Sequence, residues 1–425
     1  MILEFISDQV IPKRRHITTN SITSSKKLFW AGSIGNVLDH YDMALYTFLV
    51  PFIAPIFFKQ EDTIVQLIMA YGLTAVGIFT RPIGSIFFGR LAMRVNPKTL
   101  LAITLSGVAL STAAIGIIPG YDSIGSWAIV ILLIIRIVQG LFAAGEQSIA
   151  SILLLDKLEE GTRTKMSSYY VASSMTGTMI ASGSAILVSM SSNPEFYWRY
   201  AFISGIITGI IGLLLRFITF DSPVQIQTTT LPTYKIVNLH KAIIIKVIFV
   251  SSFSYMTYSV PFVFFNKFIP LFNDISLSEM LKYNTALLAI DILLLPVFGH
   301  IAQKYNYIKW MIACAIMLGI TAIPAFYLLS IFSIYGITAI KFWIIITGIA
   351  FVIPSKVWMY NLIGGKERYL VTGLGYAIGT EILGRQTTTI CWMIWYYTGS
   401  ITAPAYYIVF LSAAAAIALM ERKKI

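Results

Sequence analysis

The sequence predicts an all-α membrane protein whose twelve transmembrane helices fall into two groups of six. Three observations carry this. The 425 residues are 57% apolar and 12% charged, with a mean hydropathy of +0.78, too apolar for an ordinary soluble domain. Apolar runs recur at about 28–50, 64–89, 99–118, 126–150, 166–190, 199–216, 242–266, 279–302, 308–330, 341–363, 370–397 and 402–420, most of them near the ~20 residues that cross hydrocarbon as a helix. The runs lack the two-residue alternation of lipid-facing strands, and a helix satisfies its own backbone hydrogen bonds in lipid.

In chain order, residues 1–27 read as a polar cytoplasmic tail carrying Lys13, Arg14, Arg15, Lys26 and Lys27. No basic start with a short apolar core and cleavage site is present, so no cleaved signal peptide is expected. A first six-helix bundle is expected over 28–216, a cytoplasmic central loop over 217–241, a second bundle over 242–420 and a short cytoplasmic tail over 421–425. Lys and Arg set the orientation. Twenty-two lie in segments on the side of the termini, against Lys59, Arg199, Lys267 and Lys341 on the other side. Both ends are therefore expected in the cytoplasm. Six-plus-six chains often bind substrate at the midplane between their halves.

Five cations lie within the spans: Arg81, Arg136, Lys282, Lys356 and Arg385. Charge at membrane depth is costly, and marks function unless it faces a partner or water. In the run from Arg136 to Glu146 the two charges stand about 15 Å apart along the helix, too far to pair with each other. Asp42 of the first span matches Arg136 of the fourth in depth, and Asp39 is three residues from Asp42 on the same face. A buried carboxylate opposite an arginine exchanges an ion pair for a proton, so Asp42 and Arg136 are expected to couple proton movement; a static pair locking the first bundle is the competing reading. Arg81, Arg90, Arg94 and Glu146 are expected at an inner gate. Asp39, Tyr46, Gln139, Tyr255, Asp291 and Arg385 are the candidate substrate contacts. Glu381 and Arg385, four apart, read as an intrahelical pair, and His40 as a helix-interface residue.

No enzyme is expected: the four histidines are scattered, and no metal motif, nucleophile elbow or phosphate loop is present. Cys314 and Cys391 make neither a disulfide framework nor a metal pair. The net charge of +12 comes from loop Lys and Arg rather than a basic stripe with interleaved aromatics, so nucleic acid is not an expected partner. The expected partners are a small-molecule substrate and membrane lipid. No cofactor is expected beyond the proton as coupling ion, and the chain is expected to be a monomer.

These residues resemble a known family. Gly35-Asn36-Val37-Leu38-Asp39-His40-Tyr41-Asp42-Met43-Ala44-Leu45-Tyr46 is similar to the first-span G-N-x-x-E-W-Y-D-F-x-x-Y of the metabolite:proton symporters. That branch of the major facilitator superfamily includes proline/betaine, citrate, α-ketoglutarate and shikimate porters. Arg81-Pro82-Ile83-Gly84 with Phe88-Gly89 resembles its second-span motif, and Arg136 to Glu146 its R-x-x-Q-G-x-x-x-G-G-E, with Ala144 for one glycine. Trp198-Arg199, Arg216 with Asp221-Ser222-Pro223, and Thr372-Gly373 after Arg368 resemble further marks. The likeness is dense in the first half and thin in the second.

The sequence also departs from that pattern. In the loop Gly89 to Lys98, Met93 replaces the superfamily's aspartate, and Asn96 and Pro97 replace a glycine and an arginine. Asp39-His40 replaces E-W, and Glu381 and Arg385 stand where the family shows apolar and glycine residues. The chain closes at Glu421-Arg422-Lys423-Lys424-Ile425, without the coiled coil of osmosensing relatives, so osmotic regulation is not expected. The resemblance implies the major facilitator fold. It also implies proton-coupled symport of a small polar metabolite, zwitterionic or carboxylate, by alternating access in a bacterial inner (plasma) membrane. The alternatives are an exporter or uniporter of the same fold, or a non-transporting sensor on this scaffold.

Overall fold

The computed structural model describes residues 19–59, 66, 69, 70, 72–156, 158–219, 231–273, 277–331 and 333–420, and every regular element among them is helical. Continuous helices Thr19–Phe57, Pro97–Ile117, Trp127–Asp156, Arg163–Ser189, Leu277–Ala302, Tyr307–Leu328, Ile334–Asn361 and Ala405–Met420 form the first, third, fourth, fifth, eighth, ninth, tenth and twelfth spans. The second runs from a tight turn, Leu73–Val76, into Gly77–Leu91, and the sixth joins Pro194–Ile203 to Gly205–Thr219. The seventh and eleventh are each broken by a wide π-turn, Val260–Phe264 and Gly379–Gly384. The arrangement is the twelve-helix major facilitator fold.

Both wide turns have local causes. Pro261 brings no N–H to the ladder, and an i→i+5 turn accommodates the missing bond. Gly379 and Gly384 bracket the other, where the eleventh span lies against the seventh. A Cβ on Gly379 would strike Ser251 Oγ and the Ile248 carbonyl, and one on Gly384 would meet the Tyr255 side chain.

Each half has its own apolar core. One gathers Tyr46, Leu49, Phe57, Trp198 and Phe202; the larger gathers Phe253, Phe264, Phe268, Phe326 and Phe351. Between the halves, contact concentrates toward the face where the described chain starts at Thr19 and ends at Met420, the terminal face. Gly89 lies against the backbone of Leu370, and Gly299 against Ser168. Ser167 Oγ donates to the Ile353 carbonyl at 3.0 Å. Met93 is fully buried with Ile236, Ile244, Leu370, Val371 and Leu374. Toward the opposite face, Phe268, Phe272, Trp392 and Trp395 pack on one another within the second half.

Four sequence expectations need adjustment. The first helix begins at Thr19, inside the expected tail, and the central loop contains a helix, Thr233–Leu239. Its Ile236 plugs the apolar seam beside Met93. Lys341, expected outside, is fully buried in the tenth span and donates to Asn284 Oδ1 at 3.1 Å. A hydropathy reading ends a span at its first charge, although this helix continues because Lys341 turns inward to a polar neighbour. Arg199 likewise belongs to a helix, donating to the Gly116 and Ile118 carbonyls at 3.0 and 2.7 Å. It satisfies acceptors left over at the end of the third span. Residues 1–18, 220–230 and 421–425 lie outside the described residues, and with them most of both expected tails, the core of the central loop and the Asp221-Ser222-Pro223 mark.

A charged cavity between the two halves

A cavity of about 430 Å³ opens at membrane depth, lined by both halves. Four cations face it: Arg81, Arg136, Lys356 and Arg385. Two carboxylates do so, Asp39 and Glu381, together with His40. Of the candidate residues, the structure thus brings together Asp39, Gln139, Arg136, Tyr255, Arg385 and Arg81. Asp42, Tyr46, Asp291, Arg90, Arg94 and Glu146 are not in its lining.

The first span supplies Asp39 because Asn36 fastens that span to the fifth. Asn36 Nδ2, with two protons to give, lies 3.1 Å from the Tyr170 carbonyl and 2.8 and 2.7 Å from Ser173 Oγ and Ser174 Oγ. Gly177 permits the approach, since a Cβ there would collide with the Val37 carbonyl. His40 stands 3.7 Å from the Asp39 carboxylate, with its Nδ1 3.0 Å from the Asn36 carbonyl. It is a cavity residue rather than an interface filler.

The expected Asp42–Arg136 ion pair does not form. Asp42 is fully buried against the sixth span, where Thr208 Oγ1 lies 3.1 and 2.9 Å from its two oxygens. Three residues along a helix rotate a side chain by about 60°, enough to send Asp39 into the cavity and Asp42 into the seam. Arg136 is held instead by its own helix and by the first span. Its Nη1 donates to Gln139 Oε1 at 2.5 Å, and its guanidinium lies 4.1 Å from the centre of the Tyr46 ring. Gln139 is anchored in turn to Thr112 Oγ1 at 2.9 Å, and the Tyr46 hydroxyl donates to the Ala70 carbonyl at 2.9 Å. Tyr46 therefore supports Arg136 from behind. The Nε of Arg136 is buried without a hydrogen-bond partner among the described residues.

Arg81 and Glu146, both expected at the inner gate, are not paired with each other among the described residues. Glu146 accepts from Thr104 Oγ1 at 2.9 Å on the third span, while Arg81 Nη1 reaches its neighbour Gln147 at 3.3 Å. One residue turns a helix by about 100°, and that step decides which side chain faces Arg81. The carboxylate partner of Arg81 comes from the other half: Glu381 Oε1 at 2.9 Å. Glu381 Oε2 also stands 2.9 Å from Arg385 Nε, so the i,i+4 pair expected along the eleventh span exists but is shared across the halves. Arg385 lies over the Tyr255 ring at 5.4 Å, and Lys356 Nζ over Tyr376 at 4.0 Å.

Asp291 is buried on the helix face of Leu287 and Leu295, which pack with Val171, Ala172 and Phe262, and it does not reach the cavity lining. Neither Arg90 nor Arg94 makes an ion pair among the described residues; Arg94 is exposed and Arg90 half-buried. The polar closure of the terminal face uses residues the sequence reading did not place at the gate. Asp156 accepts from the Tyr360 hydroxyl at 2.6 Å and lies 3.7 Å from Arg368. Arg368 and Arg163 both cover the Tyr360 ring, at 3.8 and 4.6 Å. Nothing in helical spacing announces this cluster, because its members meet only when the halves close.

Comparison with known proteins agrees with this architecture. The family model described as Major Facilitator Superfamily matches residues 32–385. A proline/betaine transporter of Escherichia coli is 32% identical over 213 residues, which is 49% of this chain and 43% of that protein. The chain thus matches less than half the length of that relative. A Staphylococcus haemolyticus protein named provisionally for the same substrates is 27% identical over 414 residues, 92% of this chain and 86% of that one. Among solved structures, the proton:xylose symporter XylE superposes with a TM-score of 0.72 at 14% identity, covering 94% of this chain and 95% of its own. The Escherichia coli fucose:proton symporter FucP gives 0.67 at 13%, covering 92% and 97%. These are proteins of transport, not catalysis. Motifs, fold and family match agree: the chain belongs to the major facilitator superfamily of membrane transporters.

Proposed function

We propose that this protein is a proton-coupled symporter that moves a small polar metabolite by alternating access, one half rocking against the other around the central cavity. The observation that carries the reading is the cavity itself, a charged chamber lined by both halves, with the cross-half contacts gathered on its terminal side. The Lys and Arg bias favours a cytoplasmic assignment for that face, and in this reading the cavity is closed toward the cytoplasm. The names of the bacterial relatives, which cite proline and betaine, support a zwitterionic substrate; a carboxylate substrate and a bacterial plasma-membrane location are part of the same proposal.

Asp42 and Arg136 remain the proposed coupling residues, acting from separate pockets. Thr208 has one hydroxyl proton for the Asp42 carboxylate and for the Gly205 carbonyl, 2.8 Å away. A proton on Asp42 completes this set: Asp42 then donates to Thr208, and Thr208 to Gly205.

Uptake into vesicles reconstituted with the full chain tests the reading, using labelled proline, glycine betaine, citrate and α-ketoglutarate with and without an imposed proton gradient. Accumulation against the solute gradient that a protonophore abolishes is the expected result. Downhill flux indifferent to the proton gradient identifies a uniporter, and no flux of any solute rejects transport of this class.

A further inference from the structure

Glu381 occupies an unusual place. It is buried, yet it belongs to the cavity wall, and among the described residues it is the one carboxylate set between two arginines from opposite halves. It projects from the wide turn of the eleventh span into space kept clear by Gly77, where a Cβ would come within 2.9 Å of Oε2. The contacts are close, but at two atoms they are poorly directed: among the described residues Glu381 Oε1 and Arg385 Nε lack a hydrogen bond of good geometry. A buried charge pair held off the hydrogen-bonding direction forfeits much of what offsets its desolvation. Arg136 faces the same space with its Nε unpartnered among the described residues, and Lys356 lies over an aromatic face. Four cations against two carboxylates leave the chamber with a formal excess of two positive charges.

We propose that Glu381 holds the place of the substrate's own carboxylate: a net-anionic carboxylate entering the cavity displaces Glu381 from Arg385 and takes that arginine itself. Arginine favours such an exchange, because its planar fork pairs equally well with any carboxylate oriented toward it. Once displaced from Arg385, Glu381 keeps only Arg81, so loading the site also changes the tie between the halves. Glu381 is then a specificity residue. Its charge competes with net-anionic ligands and leaves a zwitterion, whose charges cancel, nearly untouched. The inference rests on the transport reading for its biological meaning, but its physical content is binding.

The test is calorimetric titration of the purified full chain in lipid nanodiscs with succinate, glycine betaine and inorganic phosphate. Succinate is expected to bind the unaltered protein and to bind Glu381→Gln at least tenfold more tightly, while the affinity for glycine betaine changes less than threefold. Arg385→Gln, which leaves Glu381 paired with Arg81, is expected to weaken succinate at least tenfold, and it serves as the independent variant should Glu381→Gln fold poorly. Succinate binding that is unchanged or weaker in Glu381→Gln, unaffected by Arg385→Gln, or replaced by a response to phosphate alone overturns the proposal. Absence of flux in vesicles alongside the expected titrations would reject the transport reading and leave the displacement standing.

Discussion

Arg81 of the second span and Glu381 of the eleventh meet at 2.9 Å across the interface between the halves, and the same carboxylate touches Arg385 on its own helix. The contact lies in the wall of the cavity, on spans that continue to the terminal face at Gly89 and Leu370. A rocking motion that opens that face must lengthen it.

Arg81→Gln therefore loosens the terminal side. With Ser151→Cys as reporter in the lower cavity wall, and with the native Cys314 and Cys391 buried, labelling by a membrane-impermeant maleimide added from the terminal face should accelerate severalfold. An unchanged rate would show that the pair does not contribute to closure.

Met93→Asp restores the aspartate common in the superfamily loop, yet here it should weaken closure. The Met93 pocket is made of Ile236, Ile244, Leu370, Val371 and Leu374. An ionised carboxylate placed there without a partner costs several kcal/mol. The same labelling assay should report greater access, with a lower thermal midpoint; protection instead of access would show that a cation reaches this position.

Asp42→Asn keeps the shape of the Thr208 contact but removes the proton-binding group. Uphill uptake should be lost while counterflow exchange of the same solute persists. Concentrative uptake at the normal rate would remove Asp42 from coupling.

Gly177→Ala probes the seam that aims Asp39 into the cavity. The added methyl overlaps the Val37 carbonyl, and overpacking of this kind costs about 1–3 kcal/mol. A fall of several degrees in the thermal midpoint is expected, together with weaker binding of any cavity ligand. An unchanged midpoint would mean that the first and fifth spans separate at little cost.

The sequence by itself determined the architecture. Hydrocarbon leaves a backbone few solutions, so the apolar runs indicated the helical fold class though not the helix ends, and the cost of buried charge picked out Asp39, Asp42, Arg81, Arg136, Arg385 and Glu381 as residues needing an explanation. It did not determine partners. Depth along a helix is legible at 1.5 Å per residue, whereas azimuth is sensitive to a single step: Asp42 turned to Thr208 rather than Arg136, and Gln147 rather than Glu146 met Arg81. The wide turn at Gly379–Gly384 and the closeness of the second and eleventh spans have no signature in local spacing, and together they carried Glu381 to a partner 300 residues away. Only the tertiary structure decided that an expected intrahelical pair is a bridge between the halves, because only packing sets which helix faces meet.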